Sequence, residues 1–367
     1  MQQTEKFDFN DILIVPEIIT EIKSRYKGIE LPIALPLFTA PMDTVVNLSN
    51  IDEFIDNNIM VCLPRTVTLE DFQYFLFENK DRAKYENVFL SFGFNEINDL
   101  IDDIENGISL GCKFNILIDV ANGHMKMIVN FVNLIKRRRP DIIIMVGNIA
   151  NPATFAYYIN ECNVDYIRVG IGNGGGCLTT KNSAIGYPMA SLIEEITVLK
   201  KKYEFENCYS IKRAKTKIIP KIVADGGMKD YSDIIKAFAL GADYVMVGSI
   251  FNKAIESAGT NYLGRIRVGK WLGKFLYSKG FKILKHFRGM STKGAQKAMG
   301  KTNLKTSEGI TRYRPVEYTL AGWVRNFDHY LRNAMSYTGC RKLDEFIGYV
   351  DIIKITNNAY DFIKNNK

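Results

Sequence analysis

Metal-binding and disulfide patterns are missing from this sequence. Its six cysteines (Cys62, Cys112, Cys162, Cys177, Cys208 and Cys340) form no CxxC pair and have no histidine partner at ligand spacing; the whole chain holds three histidines. This argues against a zinc module and leads us to expect free thiols in a reduced, cytoplasmic setting. No cationic-then-apolar leader opens the chain and no apolar run could span a bilayer, so neither export nor a membrane partner is expected. Low-complexity tracts and internal repeats are absent as well, which sets aside linkers, solenoids and arrays.

What the chain does have is the means to bury a large core. Of its 367 residues 47% are hydrophobic, aromatics occur throughout, and the charged fraction of 24% is too ordinary for a disordered protein. Length alone would allow two or three domains, but α/β barrels often reach this size as one unit, and a single domain over 1–367 is expected. The net charge is +8, partly in clusters such as Lys136-Arg137-Arg138-Arg139. That cluster ends an amphipathic stretch and precedes Pro140. It therefore reads as a helix C-terminus, where cations suit the helix dipole, rather than as a nucleic-acid site. The surplus charge still favours anionic substrates.

Short apolar, β-branched runs alternate with helical patterns. The runs are Leu35–Ala40, Ile59–Leu63, Val88–Phe92, Phe114–Asp119, Ile142–Gly147, Tyr166–Gly170, Lys221–Ala224 and Tyr244–Gly248; helical periodicity marks Met125–Arg139, Pro152–Cys162 and Ser232–Leu240. Runs apolar along their length suit strands buried on both faces. Eight of them fit a (β/α)8 TIM barrel, with a doubly wound open sheet as competitor. Asp43, Arg65, Asp119, Asn148, the 172–177 loop, Asp225 and Gly248-Ser249 each follow a run. In an open sheet strand ends converge on a ligand only at the switch point, whereas in a barrel all face one mouth. The barrel is therefore expected, with 252–367 as an irregular lid or appendage carrying a helix around Thr319–Ser336.

The segment Val169-Gly-Ile-Gly-Asn-Gly-Gly-Gly-Cys-Leu-Thr-Thr180 carries the most chemistry. Its glycines leave backbone N–H groups free to approach an anion, and a thiol held beside such donors becomes a better thiolate nucleophile. A flexible loop with an inert cysteine is the alternative, and the loop lacks the lysine of a Walker motif. Ala224-Asp225-Gly226-Gly227 and Val247-Gly248-Ser249 follow the seventh and eighth runs, where barrels commonly bind phosphate. Asp225 could accept two ribose hydroxyls or merely cap the next helix.

Across these motifs the sequence resembles the IMP dehydrogenase/GMP reductase family over nearly its whole length. The resemblance rests on Phe9–Pro16, Ala40-Pro-Met-Asp-Thr44, Asp119-Val-Ala-Asn-Gly-His124, the Cys177 loop, Ile185-Gly-Tyr-Pro188, Ala224–Gly227, Gly241–Ser249 and Arg288-Gly-Met-Ser291. It implies that Cys177 attacks C2 of a purine monophosphate. It also implies that Gly174, Gly175, Asp225, Gly226, Gly227, Gly248 and Ser249 hold ribose and phosphate. Gly289, Met290 and Ser291 would line the base and nicotinamide, and Lys305, Ser307 and Gly309 would complete the substrate site. For the dinucleotide it implies Asp119, Val120, Ala121, Ile171, Gly172, Arg65 and Met290, a late segment Asn333, Ala334, Met335 and Ser336, and Ser24-Arg25 supplied across a subunit boundary of a homotetramer. Gly172, Gly174, Cys177 and Thr180 match positions that can hold K+ through carbonyls.

Within the family the stretch from Met290 to Gly309 is short and lacks the Arg-Tyr pair of a hydrolytic flap; Arg312-Tyr313 lies beyond it. The lack of an inserted regulatory domain pair points the same way. The resemblance therefore implies the reductase branch: NADPH-dependent deamination of GMP to IMP, with Thr179 and Glu308 handling the proton of the departing amine. IMP dehydrogenase (NAD-dependent IMP oxidation) and a catalytically silent nucleotide-binding relative are the alternatives. Departures from the family pattern fall on the phosphate side: Asn173 for Pro, Gly175 for a phosphate-contacting Ser, and Lys305 for Arg, a point charge in place of a fork. Pro64 stands for His, and about a dozen residues are inserted within 252–285.

Overall fold

Runs that are apolar at every position need cover on both faces, and the fold supplies it. The computed structural model describes residues 5–106, 111–209, 217–304, 306, 307 and 309–365. In it the eight runs become β1 (Leu37–Thr39), β2 (Cys62–Leu63), β3 (Phe89–Phe92), β4 (Asn115–Asp119), β5 (Ile144–Ile149), β6 (Tyr166–Val169), β7 (Lys221–Asp225) and β8 (Tyr244–Val247). They pair in parallel in chain order, β8 returns to β1, and a bridge from Phe38 to Met60 joins β1 to the β2 segment. This is the (β/α)8 barrel, not the open sheet.

Side chains fill the barrel. The ring of Phe38 meets those of Phe89, Tyr166 and Tyr244 at centroid distances of 5.5, 5.9 and 5.3 Å, and Leu117, Met145, Val223 and Met246 complete the plug. Helices Lys126–Arg138, Pro152–Glu161, Tyr231–Leu240 and Leu320–Tyr337 fall within a few residues of their periodic patterns. Local signals set their starts: Asn151 caps a helix opening on Pro152, and Asp230 accepts from the amides of Ser232 and Asp233. Asp225 is thus not the cap of its following helix. The basic cluster occupies the last turn of Lys126–Arg138, as expected.

The region after β8, expected to be irregular, is ordered. Strands Asn261–Leu263, Ile266–Val268, Ile283–Arg288 and Thr311–Pro315 form an antiparallel sheet, with helices Lys270–Ser278 and Lys293–Ala298 between them. Polar residues at buried positions hid the period-two signal. Along Ile283–Arg288 the buried positions are Ile283, Lys285 and Phe287. The Lys285 amine donates to the carbonyls of Ser257 (2.6 Å) and Gly259 (3.0 Å), and burial pulls its pKa down to about 7. The N-terminal motif also pairs: Ile12–Ile14 runs antiparallel to Ile352–Lys354, and Phe9 packs beneath Gly227.

Candidate active site

Alternation along the strands builds the mouth of the barrel. Leu117, Tyr166 and Val223 face the interior plug, so Asp119, Arg168 and Asp225, two positions on, face the axis one layer higher. Arg168 donates to Asp119 Oδ1 at 2.9 Å, and its Nε lies 3.1 Å from Asp225 Oδ2, an ion contact off the hydrogen-bond axis. To reach Asp119 it crosses β5 at Gly147, where a Cβ would stand 2.4 Å from that of Arg168. Burial works against the guanidinium's charge, but the two carboxylates outweigh it and raise its pKa. Asn148 donates to Asp225 Oδ2 at 2.8 Å and to the Gly170 carbonyl at 2.7 Å. Asp225 is therefore held from two sides.

Above this layer opens a cavity of about 660 Å³. Cys177 lines it, half-buried, with its Sγ 3.2 Å from Thr179 Oγ1 and 3.5 Å from the Thr179 amide, which donates to it. Burial pushes the thiols of Cys62, Cys162 and Cys340 up, as befits inert cysteines. Gly226, at φ +92°, lies so close to the Cys177 loop that a Cβ there would come 2.8 Å from the Gly174 nitrogen. Gly175 abuts Ser249. The Cys177 loop thus meets the Gly226 loop backbone to backbone and the third loop at the Ser249 side chain. The N–H groups of Gly174, Gly175, Gly226, Gly248 and Ser249 find no acceptor among the described residues, and all five residues line the cavity. Such a cluster of free amides suits a phosphate. Gly227 also lines the cavity, but its amide is committed to the Asn173 carbonyl at 2.9 Å.

The strip Gly289, Met290 and Ser291 closes one wall, tied down where Arg288 pairs with Asp43 in the loop after β1. Asp119, Val120 and Ala121 line the cavity with Ile171 and Gly172, and Arg65 joins them while bonded to Glu96 at 2.7 Å. Gly309 pairs with Cys177 and accepts from the Ser307 hydroxyl at 3.1 Å, though neither Ser307 nor Gly309 is among the lining residues. Lys305 and Glu308 lie outside the described residues.

Some expected residues are elsewhere. Ser24, Arg25 and Asn333–Ser336 do not line the cavity. Arg25 instead reaches Asn333 Oδ1 at 3.5 Å, and Met335 is fully buried in the core. Thr180 gives its hydroxyl to the Ile185 carbonyl at 2.8 Å, and the Gly174 carbonyl accepts the Cys177 amide at 2.9 Å. Neither bond removes a carbonyl from the set suggested for K+, because the Thr180 bond uses its hydroxyl and a carbonyl oxygen carries two lone pairs. Sequence reasoning missed Arg168, which sits inside the apolar run of β6 and has a detectable role only once the barrel brings Asp119 and Asp225 to it. It also missed Phe287, Gln296 and Lys301 on the appendage wall.

A family model described as the IMP dehydrogenase/GMP reductase domain matches residues 80–362. The chain belongs to the IMP dehydrogenase/GMP reductase family. Among curated relatives it is 27% identical to GMP reductase 1 of Homo sapiens over 375 residues, covering 96% of this chain and 95% of that protein. It is 26% identical to GMP reductase of Vibrio campbellii over 378 residues, covering 98% and 99%, and 25% identical to that of Caenorhabditis elegans. Membership of the IMP dehydrogenase/GMP reductase family accounts for the order of the motifs along the chain.

Proposed function

We propose that the chain is a GMP reductase, catalysing NADPH-dependent deamination of GMP to IMP and ammonia, and that residues 1–367 act as one catalytic domain. One observation carries the reading: a half-buried Cys177 beside five acceptor-free amides at the mouth of the barrel. The names of full-length relatives support the branch. The cavity is of a size usual for nucleotide-like ligands. GMP's phosphate would sit on the free amides and its ribose on Asp225. The Cys177 thiolate adds to C2, and the 2-amino group departs as ammonia once protonated, because amide anion is too basic to leave. Thr179 and Glu308 deliver that proton. The hydride that replaces the amine at C2 would come from NADPH when bound, and expulsion of the Cys177 thiolate from that carbon gives IMP. Asp119, Val120, Ala121, Ile171, Gly172, Arg65 and Met290 would hold the nicotinamide end, and Ser24, Arg25 and Asn333–Ser336 the far end, in a cytoplasmic homotetramer. No step is assigned to K+.

The test is the loss of NADPH absorbance on adding GMP. Reduction of NAD with IMP, and none of the former, would transfer the chain to the dehydrogenase branch. Cys177→Ala should lower turnover at least about a thousandfold while leaving GMP affinity within a few-fold. Equal GMP binding by both proteins with no turnover in either would mark a silent relative.

A further inference from the structure

The antiparallel sheet beside the barrel contributes a strand, Thr311–Pro315, whose sequence alternates Arg312-Tyr313-Arg314. Alternation sends the two arginines to one face and Tyr313 to the other, where it meets Tyr262 edge-on. Arg312 donates to the carbonyl of Gly175 at 3.3 Å, and Arg314 donates to the carbonyl of Ser249 at 3.1 Å while lying over the Phe287 ring at 4.7 Å. Gly175 and Ser249 line the cavity; the arginines do not. Their carbonyls are therefore drawn outward. In a planar trans peptide the N–H points opposite to the C=O, so each grip turns the next amide, that of Gly176 or Ile250, back toward the cavity. Neither amide has an acceptor among the described residues, and both residues line the cavity. Neither arginine has a carboxylate within ion-pair distance among the described residues.

We propose that Arg312 and Arg314 are positioning residues for the substrate 5′-phosphate, gripping the phosphate loops from behind and lending the dianion two positive charges. The assignment rests on the function proposed above. It gives a reason for the tolerance of Gly175: hydrogen bonding lost from inside the cup is offset by charge supplied from outside it.

The experiment compares native enzyme with the Arg312→Gln/Arg314→Gln double variant, measuring GMP and guanosine affinity by calorimetry and kcat and KM with GMP. The KM for GMP should rise on the order of tenfold or more, with kcat changed by less than about threefold and guanosine affinity unchanged. The Arg312→Lys/Arg314→Lys pair should recover part of the loss, since it keeps the charge but not the fork. If the double variant fails to fold, Arg312→Gln alone decides, because Arg312 is exposed. A double variant that still prefers GMP over guanosine as strongly as native enzyme overturns the assignment, as does equal loss of both ligands. A native enzyme with no preference for GMP over guanosine overturns the reading of the cup itself, and this assignment with it.

Discussion

At the scale of single residues, Arg168 is buried between two half-buried carboxylates on different strands. Removing one partner from such a cluster leaves charge without compensation, which costs more than the intact cluster contributes. Arg168→Met should therefore destabilise the protein by about 3 kcal/mol, read from denaturant unfolding, because Asp119 and Asp225 are left facing each other. Lys285 poses the opposite problem, a cation buried with two carbonyls and no acid bonded to it among the described residues. Its folded pKa of about 7 lies below the ordinary lysine value of 10.5, so between these pH values the unfolded chain binds more protons than the folded one. Stability should climb as pH rises through that window and level off above it. In Lys285→Met that slope should disappear from thermal denaturation curves recorded across pH 7–10.5.

At the scale of elements, the site depends on side chains absent as much as on those present. β5 carries Gly147 where Arg168 must pass, and a Cβ would meet the Arg168 backbone oxygen at 2.6 Å as well as its Cβ. Neither obstacle can swing aside. Gly147→Ala should cost about 1–3 kcal/mol of overpacking and weaken nucleotide binding by displacing Arg168 from Asp225, measurable as a lower Tm together with a raised KM. The eight strands were legible because each is covered on both faces and so reads as an unbroken apolar run. The sheet after β8 was not, because its strands are short and one buries a lysine. Arg168 was illegible for a related reason: a lone cation in an apolar run gains meaning only from acids 49 and 57 positions away, and sequence spacing says nothing of such pairings.

At the scale of the whole molecule, the residues proposed for the far end of the dinucleotide gather around Arg25 and Asn333, apart from the lining of the cavity. If they serve the reaction, they serve the cavity of a neighbouring copy, so two defective chains should complement each other. Co-expressing Cys177→Ala with Arg25→Ala should restore up to about a quarter of native activity, since a random mixture pairs a sound thiol with a sound neighbour in that share of interfaces. Activity no higher than that of Arg25→Ala alone, in particles shown by light scattering to be mixed oligomers, would place the whole site within one chain.

The sequence by itself determined the barrel and the residues at its mouth, because strand periodicity and the Gly-rich turns are local properties that act wherever the chain runs. Only the tertiary structure decided which backbone amides were left free, which carboxylates share a guanidinium and what stands behind the phosphate loops. Those outcomes depend on distances between segments far apart in the chain. Closure of the sheet fixes such distances all at once, and no stretch of sequence encodes them alone.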